Sequence, residues 1–123
     1  MKLASGRILV VDDEQLICEL LRDFLTDEGY EVVTALTGAE ALEAVPTFQP
    51  EVILVDMLMP GLSGRNVLDA LRRAGVDVPV ILISGDSRVE GDGFFGVITK
   101  PFDLLMIGQV VAAAVSHRRT KNP

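Results

Sequence analysis

Asp12, Asp13 and Asp56 are the residues whose types and positions could do chemistry together. Asp12 and Asp13 follow the apolar run Ile8 to Val11, and Asp56 follows the run Val52 to Val55. Short runs rich in β-branched residues are the pattern of strands buried on both faces of a parallel sheet. Adjacent parallel strands lie about 5 Å apart, so these carboxylates would repel one another unless a cation sat between them. Magnesium is the natural candidate: a hard ion held by one or two carboxylates with waters and phosphate oxygens suits an all-oxygen motif without His or Cys. Ser84 and Lys100 close two further strand-like segments, Val80 to Ile83 and Gly96 to Thr99, and bring a hydroxyl and a cation to the same edge. One acid at a strand end is most simply a helix cap or a turn residue. Five such groups, each at a strand end, form a constellation.

The elements that must position these groups alternate in period. Leu16, Ile17, Leu20, Leu21, Phe24 and Leu25 recur at helical spacing as one apolar stripe, and Gly29 stops that helix. Tyr30 to Ala35 reads as a weaker strand; Thr37 and Glu40 then stand as a capping box for a short helix through Val45, closed by Pro46 and Pro50. Pro60, Gly61 and Ser63 supply turn and cap chemistry before Val67, Leu68 and Leu71, and Gly75 ends that segment. A last helix is expected from about Asp103 to Val115, with Leu104, Ile107, Val111 and Ala114 on one face. Strands alternating with helices imply an α/β, doubly wound parallel sheet of five strands, with its chemistry on the loops after the strands.

Composition bounds the rest. The 123 residues, 49% hydrophobic, fit a single domain over 1–123 with a core at about 7–116. A mean hydropathy of +0.38 argues against disorder. The apolar runs fall well short of the about 20 residues a membrane span needs, and MKLASGR leads into a strand without a secretory segment, so a cytoplasmic location is expected. The net charge of −7 disfavours direct binding of nucleic acid. The basic residues His117, Arg118, Arg119 and Lys121 read as a solvated helix end or linker, and Cys18, the only cysteine, as a buried thiol.

The chain resembles the receiver domains of two-component response regulators over nearly its whole length. ILVVDDE at Ile8 to Glu14, VILVDMLMPGLSG at Val52 to Gly64, ILISG at Ile81 to Gly85 and ITKPF at Ile98 to Phe102 stand in that family's order and registers. The resemblance implies a flavodoxin-like sheet with strand order 2-1-3-4-5. It further implies that Asp56 accepts a phosphoryl group from a sensor histidine kinase or phosphotransfer protein. Asp13 then becomes the direct Mg²⁺ ligand and Asp12 its acidic neighbour, with Asp56 and the backbone carbonyl of Leu58 as further oxygens. Lys100 would contact the phosphoryl group and Ser84 would turn its hydroxyl toward it. A downstream protein or a fused output domain would read the result.

Two other readings compete. A haloacid-dehalogenase type hydrolase also uses an acidic α/β site, but its nucleophile lies in a DxD motif after the first strand, where this chain has DD. A pseudo-receiver that binds partners without phosphorylation fits poorly with the full set of acids, hydroxyl and lysine. The sequence departs from the family pattern between Ser84 and Lys100, which are only sixteen positions apart and enclose Gly85, Gly91, Gly93 and Gly96. An ordinary helix takes about 11 residues, so the fourth helix is expected to be shortened or absent. The position of the usual switch aromatic holds Val97; Phe94 and Phe95 upstream either substitute for that aromatic or, the favoured reading, cover the core this helix leaves open.

Overall fold

The computed structural model describes residues 5–86, 88 and 91–121. Five strands, β1 (Arg7–Val11), β2 (Glu31–Ala35), β3 (Val52–Asp56), β4 (Val80–Ser84) and β5 (Gly96–Thr99), form one parallel sheet in the order β2-β1-β3-β4-β5. Four helices flank it: α1 (Gln15–Asp27), α2 (Gly38–Phe48), α3 (Gly64–Arg73) and α4 (Leu104–Lys121). The doubly wound architecture and strand order are those expected. No described residue between Ser84 and Lys100 is helical, and Arg88, Asp92 and Gly93 lie in turns; Ser87, Val89 and Glu90, where part of a fourth helix would fall, lie outside the described residues. Among the described residues no helix is long and apolar enough to cross a membrane.

The alternation of side chains along each buried strand divides the core in two. Ile8, Val10, Val52, Leu54, Ile81, Ile83 and Ile98 face α1 and α4. Leu9, Val11, Ile53, Val55, Val80 and Leu82 face α2 and α3. Every residue of β3 and β4 is buried, which explains why these two runs carry no polar residue before their last position.

Several local expectations are corrected. In α1 the buried face is Cys18, Leu21 and Leu25, with Ile17 and Phe24 half-buried, whereas Leu16 and Leu20 point to solvent. Six apolar residues in ten span a wider arc than the sheet can cover. Helix α2 does not stop at Val45 but carries Pro46 inside its last turn and ends at Gln49, which adopts a left-handed φ of 53°. The amide of Gln49 donates to Val45 O at 2.9 Å and Phe48 packs against the core, which offsets the bond that proline removes. The cap reads as expected, with Thr37 Oγ1 accepting from the Glu40 amide at 3.0 Å, except that the Glu40 carboxylate reaches back to the amide of Leu36.

Helix α4 runs past Val115 to Lys121, so the basic run is helical rather than a loose linker. Its last turn is tied down on two sides: Arg119 Nε bonds Glu51 at 3.2 Å, and Lys121 Nζ bonds Asp77 at 2.9 Å. Phe94 does cover the core, packing on the α2 and α3 side with the Arg65 guanidinium 4.9 Å above its ring. Phe95 does not, and lies at the surface with 36% of its area exposed. In so short a connection consecutive side chains cannot both turn inward.

Candidate functional site: an acidic cluster at the sheet's carboxyl edge

Register brings the acids together. Val11 pairs with Val55 across β1 and β3, so the next residues, Asp12 and Asp56, emerge side by side. Ser84 pairs with Thr99 across β4 and β5, and the amide of Lys100 donates to Ser84 O at 2.7 Å, which delivers the lysine stem over the same edge. Carboxylate oxygens of Asp12, Asp13 and Asp56 lie within 4.8 Å of one another. Asp12 and Asp56 are buried, while Asp13 is exposed. The Lys100 ammonium meets Asp56 Oδ1 at 2.9 Å and Asp12 Oδ2 at 3.7 Å. A cavity of about 270 Å³ opens beside them, lined by Asp13, Glu14, Asp56, Met57, Leu58, Gly85 and Lys100. The Lys100–Pro101 peptide bond is cis.

The electrostatics follow from this crowding. Burial pushes the carboxyl of Asp12 above the ordinary aspartate value, and the Asp56 charge adds to it, against the lowering effect of the Glu14 amide and Lys100. Burial likewise raises Asp56, although its hydrogen bond from Lys100 opposes the rise. For Lys100, burial works against the charge, but Asp56 and Asp12 outweigh it and hold the ammonium above the usual lysine value. The Cys18 thiol, pushed up to about 11 chiefly by burial, donates to Asp12 O at 3.2 Å. It braces the backbone of the cluster and is inert as a nucleophile.

Ser84 is buried, and its hydroxyl is engaged locally. It accepts from the amide of Asp86 at 3.0 Å and lies 3.2 Å from Asp86 O as donor. Asp12 Oδ1 accepts from the Glu14 amide at 2.9 Å, fixing the entry to α1, but Asp12 Oδ2 is buried with no hydrogen-bond partner. A buried anionic oxygen that lacks a hydrogen bond and has only the Lys100 ammonium at 3.7 Å, among three carboxylates, is a donor set that could hold a hard divalent cation. Leu58 is exposed and lines the cavity.

One residue of the site escaped sequence reasoning. Gly64, at the start of α3, is buried against the end of β3, where an added Cβ would lie 2.8 Å from Asp56 O. GLSG reads as an ordinary turn, and only the tertiary approach of α3 shows that the last glycine is needed for space.

The raised carboxyls make a pH prediction. A folded pKa above the unfolded value of about 4 means that the folded state holds more protons, so this contribution to stability is full below pH 4 and is lost as pH rises through the folded values. Asp12→Asn should therefore be more stable than wild type at neutral pH without divalent ions, since an amide oxygen can still accept from Glu14. The advantage should shrink toward about pH 4. Thermal melts across that range check it; a variant less stable at neutral pH would contradict the account.

Comparisons with known proteins bear on the whole assembly. The family model for the response regulator receiver domain matches residues 8–112. The chain is 39% identical over 120 residues to the transcriptional regulatory protein PrrA of Mycobacterium tuberculosis, an alignment covering 93% of this chain and 52% of PrrA. It is 38% identical over 103 residues to DltR of Streptococcus agalactiae, covering 79% of this chain and 46% of DltR. The chain thus spans about half the length of the curated relatives it matches. Among solved structures, the response regulator TrrA of Thermotoga maritima in complex with Mg²⁺-BeF superimposes with a TM-score of 0.81 at 34% identity, covering 89% of this chain and 98% of TrrA. The Francisella response regulator 1452 receiver domain gives 0.85 at 28% identity, covering 91% and 98%. With its sheet order, its acidic edge and this match over most of its length, the chain belongs to the response regulator receiver domain family.

Proposed function

We propose that this chain is a single receiver domain that accepts a phosphoryl group on Asp56 from the phosphohistidine of a sensor histidine kinase or phosphotransfer protein. The observation that carries the proposal is the placement of Asp56: buried at the end of β3, in reach of Lys100, and clustered with Asp12 and Asp13. In the transfer, an Asp56 oxygen forms the new bond to phosphorus as the bond to the donor imidazole nitrogen breaks, giving an acyl phosphate. Such transfers need alignment and charge neutralisation more than covalent assistance. Asp12, Asp13, Asp56 and the Leu58 carbonyl would hold Mg²⁺, which supplies positive charge to the phosphoryl oxygens when bound. Lys100 exchanges its contact with Asp56 for one with a phosphoryl oxygen, and the Ser84 hydroxyl turns from Asp86 toward the same group.

The acyl phosphate places about 1.5 to 2 negative charges at a strand end, enough to bias a two-state surface read by a downstream protein or a fused output domain. The chain itself is a regulator rather than an enzyme acting on other substrates. A cytoplasmic setting and the absence of direct nucleic-acid or membrane contact complete this reading, in line with the net charge of −7.

Intact-mass measurement after incubation with acetyl phosphate and Mg²⁺ tests it. One phosphoryl adduct should form, require Mg²⁺, and map to residue 56 after borohydride reduction of the acyl phosphate. No adduct, or an adduct mapping elsewhere, would overturn the assignment.

A further inference from the structure

At the end of β4 remote from Asp56, a cleft of about 420 Å³ opens between the last turns of α4, the residues leading into β4, and those leading into β5. Its size falls in the range of about 300–1,000 Å³ usual for small-ligand sites. The walls carry three permanent cations, Arg72, Arg118 and Lys121, against one carboxylate, Asp77; Lys121 Nζ bonds Asp77 at 2.9 Å and Arg72 Nη1 donates to the neutral Val76 O at 2.8 Å, so the cleft keeps a surplus of positive charge and an anion would share Lys121 with Asp77. In a chain of net charge −7 this is a local inversion of sign. The cleft also has an aromatic face: Phe95 is 36% exposed, and its ring centroid lies 5.4 Å from that of His117, tilted by 48°. None of these residues takes part in the phosphoacceptor site, since Val80 and Ser84 at the two ends of β4 are roughly 13 Å apart at ~3.3 Å per residue.

The short β4–β5 connection creates this arrangement. Phe94 turns into the core beside Arg65, and Phe95 is thereby left facing α4. An exposed phenyl ring against an imidazole, rimmed by arginine and lysine, is complementary to a ligand that combines a planar ring with a phosphate. The rings offer a stacking surface and the cations neutralise the anion.

We propose that this cleft binds a nucleoside phosphate, with the base stacked on Phe95 and His117 and the phosphate held by the cations of α4 and Arg72. The proposal stands independently of phosphorylation at Asp56.

Titration of the full chain with AMP, adenosine or inorganic phosphate, without Mg²⁺ so that phosphate is not drawn to the acidic cluster, tests the proposal by amide NMR shifts. AMP should bind saturably, with shifts centred on Phe94, Phe95 and His117, and at least about tenfold more tightly than adenosine or phosphate alone. Phe95→Ala and Lys121→Gln both alter exposed side chains and should each weaken AMP binding about tenfold or more while the sheet amides stay in place. Absence of saturation, shifts centred elsewhere, phosphate binding as tight as AMP, or an unaffected Phe95→Ala variant would each overturn it.

Discussion

Asp56→Asn is expected to abolish phosphoryl uptake while leaving the protein folded. The amide keeps the shape of the carboxylate but has no anionic oxygen to attack phosphorus. Asp12 and Asp13, although within 4.8 Å, both sit on the loop after β1 and not at the end of β3, and Asp12 has one oxygen committed to the Glu14 amide, so neither is aligned to replace it. The fold should tolerate the change, because Lys100 still has Asp12 at 3.7 Å and one of two carboxyls destabilised by burial is gone. The melting temperature at neutral pH without Mg²⁺ should therefore be at least that of wild type. Intact mass after acetyl phosphate treatment gives the answer directly, and uptake within about tenfold of wild type would remove Asp56 from the role of nucleophile.

Gly64→Val should disable the same chemistry without touching any ionisable group. A Cβ at this position would lie 2.8 Å from Asp56 O, 2.9 Å from Leu82 Cδ1 and 3.2 Å from Met57 Cα, and two of these three are backbone atoms. The start of α3 must retreat from the end of β3, at a cost of about 1–3 kcal/mol for overpacking. A displacement of the phosphoacceptor by about 1 Å should cut the rate of uptake on the order of 10²-fold. Gly96→Ala is the control, since its Cβ would meet only Val110 Cγ1 at an ordinary 3.7 Å. Denaturant unfolding and uptake rates measured on both variants check the argument. A Gly64→Val protein with wild-type uptake would show that the contact can relax harmlessly.

Much of this was legible in the chain because the relevant signals are local. Buried parallel strands read as continuous apolar runs, and the residue ending each run lands at the carboxyl edge whatever the helices do, so Asp12, Asp56, Ser84 and Lys100 could be placed before any packing was known. The misreadings all concern choices made by tertiary contact. The end of α2 depends on Phe48 finding the core despite Pro46, and the length of α4 on Glu51 and Asp77 standing where Arg119 and Lys121 can reach them. Leu16 and Leu20 looked buried because periodicity reports a stripe and not the width of the surface that covers it. The need for glycine at position 64 is invisible for the same reason, since its neighbours are eight residues and eighteen residues away.

The ring of hydrogen bonds between Ser84 and Asp86 bears on noise in the unphosphorylated state. If Ser84 is recruited as proposed, a hydroxyl left free to rotate would sample that orientation spontaneously, and some fraction of resting molecules would signal without a phosphoryl group. Here that excursion forfeits both contacts with the Asp86 backbone, each contributing about 1 kcal/mol. On the role proposed for Ser84, together they would hold the spontaneously recruited form near one molecule in about thirty, and the contacts would act as a latch that sets the background against which a phosphorylated signal is read.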